Sequence, residues 1–167
     1  MSEPHDRMRS LLTVPANRLD LVAKAPRSAP DALFLDLEDG VPPGAKASAR
    51  ADAVEAARML ATEAPGIQVL VRVNGIATPW FAGDVAEALG PGLSGVVVPK
   101  VESVADVEVV VAALGAAGVP DLPILAAVES AAASPPAATS PETTYGRPAI
   151  SGVASTTMSC PMTISAS

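Results

Sequence analysis

Residues able to bind or transfer charge gather just past the ends of five short apolar runs in this sequence. Asn17 and Arg18 follow SLLTVPA, Asp36, Glu38 and Asp39 form the DLED stretch, and Arg72 and Asn74 follow QVLV. Lys100 follows VVVP, and Glu129 and Ser130 follow ILAAV. A fixed guanidinium such as Arg72 can stabilise an oxygen that becomes negative during a reaction. It can equally form a structural ion pair with Asp36, Glu38 or Asp39 on a neighbouring strand. Strand alternation sends Asp36 and Glu38 to one side and Asp39 to the other, unless the strand has already turned. Other chemistries fade. His5 is the only histidine, so a His-based metal site or a Ser-His-Asp triad lacks its parts. Cys160 is the only cysteine, which excludes an internal disulfide and reads as incidental. The glycines form neither a phosphate-binding P-loop nor a GxGxxG turn.

Stepping from Arg9 to Glu129, short β-type runs alternate with longer helical stretches, the pattern of parallel strands joined by crossover helices. The strands are expected at residues 10–14, 32–37, 68–73, 95–98 and 124–128. Residues 46–63 are Ala-rich, free of Gly and Pro, and place Ala53, Ala57, Leu60 and Ala61 at helical spacing. Thr78-Pro79 announces a helix over 80–89, and Ser103 with Asp106 makes a capping box for a helix over 103–117. A shorter helical stretch is expected over 19–25, with Asn17 as a possible N-cap. Continuous apolar strands suit a sheet covered on both faces, and polar residues past the strand ends suit the active-site face of an α/β barrel.

Composition narrows the partners. A net charge of −7 with scattered Lys and Arg disfavours a polyanion, and one Trp, one Tyr and two Phe make a poor stacking surface for nucleic acid. No apolar run approaches the length of about 18 residues needed for a membrane span, and residues 1–9 do not read as a signal peptide. A reducing cytoplasm and a small-molecule ligand are therefore expected. After residue 133 the character changes: Ser, Thr, Pro and Ala dominate 134–167, with Glu142 and Arg147 as the only charged side chains. No helix or strand pattern survives there, and disorder is the expectation. Two regions follow, a folded domain over 1–133 and a low-complexity tail over 134–167.

The segments RSLLTVPANR (9–18), FLDLEDGV (34–41), VRVNGIATPWF (71–81), VVVPKVES (96–103) and LAAVES (125–130) together resemble the citrate lyase β-subunit-like proteins. These belong to the HpcH/HpaI aldolase group, related to malyl-CoA and citramalyl-CoA lyases. The resemblance implies an α/β fold, an incomplete TIM (β/α)₈ barrel of about five βα units, and a Mg²⁺-dependent carbon–carbon lyase. The substrate would be a small carboxylate or an acyl-CoA thioester of the citryl, malyl or citramalyl kind. Arg72 would bind substrate and stabilise its oxygen, and Glu129 would ligate Mg²⁺. The DLED carboxylates would support the metal's water shell and orient the arginine, with Glu38 and Asp39 as the preferred catalytic pair. Lys100 would stabilise a carboxylate or the acidic cluster, the alternative being solvated surface. Asn17 and Arg18 would lie near the thioester entrance, helix capping being the alternative for Asn17.

Such a relative should continue to a sixth strand with a second metal-binding aspartate, and none is recognisable here. Strand five would then present an open edge. The alternative to an active lyase is a truncated, inactive remnant or an interaction fragment, and an out-of-frame tail would explain the abrupt change. Association is expected as a homo-oligomer or with a complementary subunit. A phosphate-binding barrel of another class is the third reading, although such loops commonly follow the last two strands.

Overall fold

A computed structural model of the chain describes residues 8–128, 150–152 and 160–164. Five parallel strands run in sequential order, β1 (Leu11–Pro15), β2 (Ala32–Asp36), β3 (Gln68–Arg72), β4 (Gly95–Val98) and β5 (Ile124–Val128). Helices α1 (Leu19–Val22), α2 (Lys46–Glu63), α3 (Phe81–Ala88) and α4 (Val104–Ala116) connect them. The expected elements are all present, with strand ends that differ by no more than a residue. The first helix is the exception: it is a single turn followed by a 3₁₀ segment at Ala25–Ser28, and Pro26 at the start of that segment prevents a continuous helix. No helix among the described residues is long and apolar enough to cross a membrane.

Strand parity divides the apolar residues into two sets. Leu33, Leu35, Val69, Val71, Val96, Val98 and Ile124 share one core with the helices. On the opposite face Ala32, Leu70, Val97 and Leu125 form a smaller cluster, with Met8, Phe34 and Ala127 packed against it. Helix α2 meets the sheet through alanines, Ala49, Ala53, Ala56 and Ala57, which lets its backbone approach closely, and Leu60 fills the lower turn. Helix α4 begins with the expected capping box, Ser103 Oγ accepting from the Asp106 amide while Asp106 accepts from the Ser103 amide. It buries Val110 and Leu114, yet its outer side is also apolar: Val104, Val109 and Val111 are 77%, 47% and 36% exposed. Apart from Asp106 and Glu108 the helix carries only apolar residues, the composition of one that is covered on more than one side.

Two short strands lie beyond residue 133 among the described residues. Strand β7 (Cys160–Ile164) pairs antiparallel with β5, and β6 (Ile150–Gly152) pairs with β7, so the sheet order is β1-β2-β3-β4-β5-β7-β6. The open edge expected at β5 is therefore taken up by backbone pairing, which a row of free N–H and C=O groups favours for almost any compatible segment. Pro161 lies opposite Ala127, beyond the last β6 pair, where the absence of an amide proton costs least. The rest of the tail lies outside the described residues.

The alanine face of α2 yields a test. Ala53→Leu should destabilise the chain by about 1–3 kcal/mol through overpacking, whereas Ala51→Leu on the exposed face should leave urea unfolding nearly unchanged. Equal midpoints for the two variants would mean that α2 does not sit closely on the sheet.

Candidate active site

Register and parity bring the site together. Asp36 and Arg72 are direct partners across the β2–β3 ladder, and both continue the face that carries Ala32 and Leu70. Arg72 Nε and Nη2 donate to Asp36 Oδ1 and Oδ2, each at 2.8 Å, a bidentate grip in which the planar guanidinium matches the carboxylate. The chain then curls back, so that the amides of Glu38 and Gly40 also donate to Asp36, at 2.8 Å each. Gly40 is required by this curl, because a Cβ there would come within 2.8 Å of Asp36 Oδ2 and 3.1 Å of Pro15 Cγ. Burial pushes the Asp36 carboxyl up, but hydrogen bonds from Arg72 and from the two amides, with the charge of the guanidinium, outweigh it and hold it below the usual carboxylate range. The Asp36 hydrogen bonds raise Arg72 further, against an opposing contribution from burial, and keep it cationic.

Glu38 stands between two cations. Its Oε2 lies 3.5 Å from Arg72 Nη1, and its Oε1 accepts from Lys100 Nζ at 2.9 Å. Lys100 reaches it from a left-handed backbone conformation, φ 56°, just past β4. A side chain held at positive φ stores strain that the surroundings must offset, and the bond to Glu38 is one such offset. Asp39 is peripheral, 78% exposed and 3.7 Å from Arg72 Nη2. Of the carboxylates singled out from sequence, Glu38 is thus central and Asp39 marginal, while Asp36, assigned there a supporting role, is Arg72's main partner. A cleft of about 390 Å³ opens beside this group, lined by Gly75, Ile76, Ala77, Thr78, Lys100, Glu102 and Asp106.

Behind the site lies a second polar group. Asn74, 2% exposed, receives Asp84 on both its amides: the backbone N–H donates to Asp84 Oδ2 at 2.9 Å and Nδ2 at 2.6 Å. Asp84, fully buried, also accepts from Arg50 Nε at 2.9 Å. Asn74 Nδ2 and Lys46 Nζ both donate to the Leu37 carbonyl, at 3.0 and 2.8 Å. Sequence reading noted Asn74 only as a strand end and passed over Lys46, Arg50 and Asp84. The signal was present for Lys46, a cation in the first turn of a helix, where the macrodipole disfavours it.

Asn17 and Arg18 stand apart. The N-cap position of α1 is occupied by Arg18, not Asn17, and no side chain caps it. Asn17 Oδ1 is shielded and has no hydrogen-bond partner among the described residues. Arg18 is engaged with Asp20, Nε to Oδ1 at 2.7 Å, on the exposed surface. Glu129 lies outside the described residues. As donors for Mg²⁺ the hard oxygens of Glu38 and Asp39 are of the right kind, but Asp36 is saturated and Glu38 already faces two cations. Among the described residues no three acidic, His or Cys side chains cluster as a ready-made metal cage. The carboxylate oxygens of Glu38 and Asp39 are therefore compatible with a hydrated divalent cation but do not by themselves make a cage for one.

The depressed pKa of Asp36 carries a sign. Its contribution to stability is fully present above the unfolded value of about 3.9 and is lost as pH falls through the lower folded-state pKa. Asp36→Asn should cost about 3 kcal/mol near neutral pH, the low end for a broken buried pair because Arg72 keeps 22% exposure. It should also flatten the acid limb of the stability curve measured by urea unfolding from pH 7 to 2. An acid limb identical to the parent's would show that another carboxylate governs it.

Residues 9–135 match the HpcH/HpaI aldolase/citrate lyase family. A citrate lyase subunit beta-like protein of Deinococcus radiodurans is 50% identical over 134 residues, covering 79% of this chain and 46% of the relative. A (3S)-malyl-CoA thioesterase of Cereibacter sphaeroides is 37% identical over 124 residues, 74% of this chain and 41% of the relative. Among solved structures, the citrate lyase beta subunit of M. tuberculosis complexed with oxaloacetate and magnesium superposes with a TM-score of 0.60 at 29% identity, covering 78% of this chain and 52% of that one. The chain spans about half the length of these relatives. With the family matched over most of its length and the parallel βα units in sequential order, this chain belongs to the HpcH/HpaI aldolase/citrate lyase family.

Proposed function

We propose that the five βα units are the front part of a (β/α)₈ barrel of a magnesium-dependent carbon–carbon lyase, acting on citryl-, malyl- or citramalyl-CoA-like hydroxyacyl thioesters. The observation that carries this reading is the state of Arg72. Its Nε and Nη2 are locked to Asp36, so the guanidinium cannot swing, while Nη1 and the side chain's 22% exposure leave an edge toward the acidic cluster and the open side of the site. A cation held this way needs no reorganisation when an oxygen near it becomes negative, the general requirement for electrostatic stabilisation of a transition state.

In cleavage, the hydroxyl proton passes to a base or water as that carbon becomes a carbonyl, the electron pair of the breaking carbon–carbon bond moves onto the thioester as an enolate, and the enolate carbon then takes up a proton to give the acyl thioester. Arg72 stabilises the oxygen that gains negative charge. Glu38, bridged between Arg72 and Lys100, keeps both cations directed at the same region. Lys100, at the mouth of the cleft, offers a second positive charge to a substrate carboxylate. Mg²⁺, held by Glu129 with Glu38 and Asp39 around its waters, would supply Lewis-acid polarisation and a template for a carboxylate and its neighbouring oxygen. Asn17 and Arg18 are assigned to the thioester entrance by family likeness alone. The cited relatives support the substrate class by name, one being a malyl-CoA thioesterase and another a citrate lyase beta subunit with oxaloacetate and magnesium.

A second reading draws on α4, whose outer valines are exposed: the chain acts as a fragment that needs a complementary subunit or another copy before it can turn over. The two readings separate in one experiment, the release of acetyl-CoA or pyruvate from a panel of acyl-CoA thioesters with and without Mg²⁺. The lyase reading expects Mg²⁺-dependent release that Arg72→Ala lowers by two to three decades, about 3–4 kcal/mol for a strong oxyanion contact. It also expects Glu129→Gln to raise the Mg²⁺ concentration at half-maximal rate, since an amide is a weaker ligand for a hard cation. Release unaffected by Arg72→Ala removes that residue from the mechanism, and silence across the panel favours the fragment.

A further inference from the structure

Lys46 violates two rules at once. It opens helix α2, where the macrodipole disfavours a cation, and it is only 5% exposed, although lysine is rarely buried without strong partners. Its partners are unusual too. Nζ donates to the carbonyls of Leu37 and Glu38, at 2.8 and 2.6 Å, and sits 5.0 Å from the centroid of the Trp80 ring. Such local departures from good helix design concentrate where a site must be held in place.

The two carbonyls belong to the segment that carries the acidic cluster. Leu37 N donates to Arg72 O at 2.9 Å, which ties the segment to β3. Glu38 N donates to Asp36 Oδ1, so the orientation of the 37–38 backbone sets the carboxylate that Arg72 grips. The same backbone aims the Glu38 side chain at Lys100. With Lys46 absent, the Leu37 carbonyl keeps Asn74, and Glu38 O keeps the weaker bond from Val41 N at 3.3 Å. The 37–38 backbone would then keep no bond to α2.

We infer that Lys46 is a positioning residue for the site: its ammonium clamps the Leu37 and Glu38 carbonyls and thereby aligns Asp36 and Glu38 on Arg72 and Lys100. It touches no substrate, and this role rests on the proposed lyase reading only for its catalytic consequence.

The test uses the full chain, with a destabilised variant remote from the site as the control for loss of stability alone. The Arg72 Nε–H, bonded to Asp36, should exchange slowly with solvent in ¹⁵N NMR, its resonance assigned by its disappearance in Arg72→Lys. Lys46→Met should speed that exchange about tenfold or more, the equivalent of losing one or two hydrogen bonds' worth of alignment. Leu114→Ala, which destabilises the distant core of α4, should leave it slow under the same folding conditions. Lys46→Gln retains a donor for one carbonyl and covers the case in which the methionine variant does not fold; its exchange should be intermediate. Protection in the folded Lys46 variants equal to that in Leu114→Ala would overturn the role and leave Lys46 as a local filler of carbonyls. A parallel titration with oxaloacetate and Mg²⁺ keeps the two ideas apart. Fast exchange in a chain that binds no oxaloacetate would sustain the positioning role and count against the proposed activity. Normal exchange with tight binding would do the reverse.

Discussion

Everything at the polar end of this sheet depends on one carboxylate being kept ionised while buried. Asp36 has lost nearly all contact with water, and an isolated charge in that position would be untenable. Four donors replace the water: two N–H groups on one edge of the Arg72 guanidinium and the amides of Glu38 and Gly40. Each donor imposes geometry. The guanidinium demands that β2 and β3 lie in register, the Glu38 amide demands an immediate turn after the strand, and the Gly40 amide demands a residue without a side chain. The site's shape follows from satisfying one charge.

A second layer keeps that arrangement rigid without taking part in it. Asp84 gathers Asn74 and Arg50, and Arg50 reaches onward to the Trp80 carbonyl at 3.2 Å, so α2, α3 and the end of β3 are joined behind the site. Gly83 belongs to this layer: a Cβ there would collide with the Arg50 guanidinium, so the glycine, though costly in a helix, leaves room for the arginine to reach Asp84. Buried polar networks specify structure well only when every member is satisfied, and here each member has at least one partner of opposite character.

The pattern of elements was legible because period and capping speak plainly in this chain. The alternating apolar runs, the Ala-rich α2 and the Ser103 capping box each carry a local physical signal that packing did not override. The ion pair between Arg72 and DLED was legible as one of two readings, but its choice of Asp36 was not, since it depends on ladder register and on a backbone curl that residue types do not encode. Lys46, Arg50 and Asp84 escaped notice because charged residues in the first turns of helices are ordinarily solvated. Only the three-dimensional closeness of α2 and α3 to the strand ends makes them structural. The pairing of β6 and β7 escaped for the opposite reason: a short Ser- and Thr-rich stretch has little pattern of its own, and an available edge supplied the partner.

The sequential strand order has a consequence for how the molecule is made. Each of β2 to β5 pairs with its predecessor in the chain, and the Arg72–Asp36 bond spans only 36 residues. Loop closure over such a distance is cheap, and domains assemble progressively as they leave the ribosome, amino-terminal parts first. The central ion pair requires only β2, α2 and β3, and the supporting layer is complete once α3 has emerged. The Asp36–Arg72 pair and the layer behind it are thus assembled early in synthesis, from a contiguous third of the polypeptide, before β4 has brought Lys100 to Glu38.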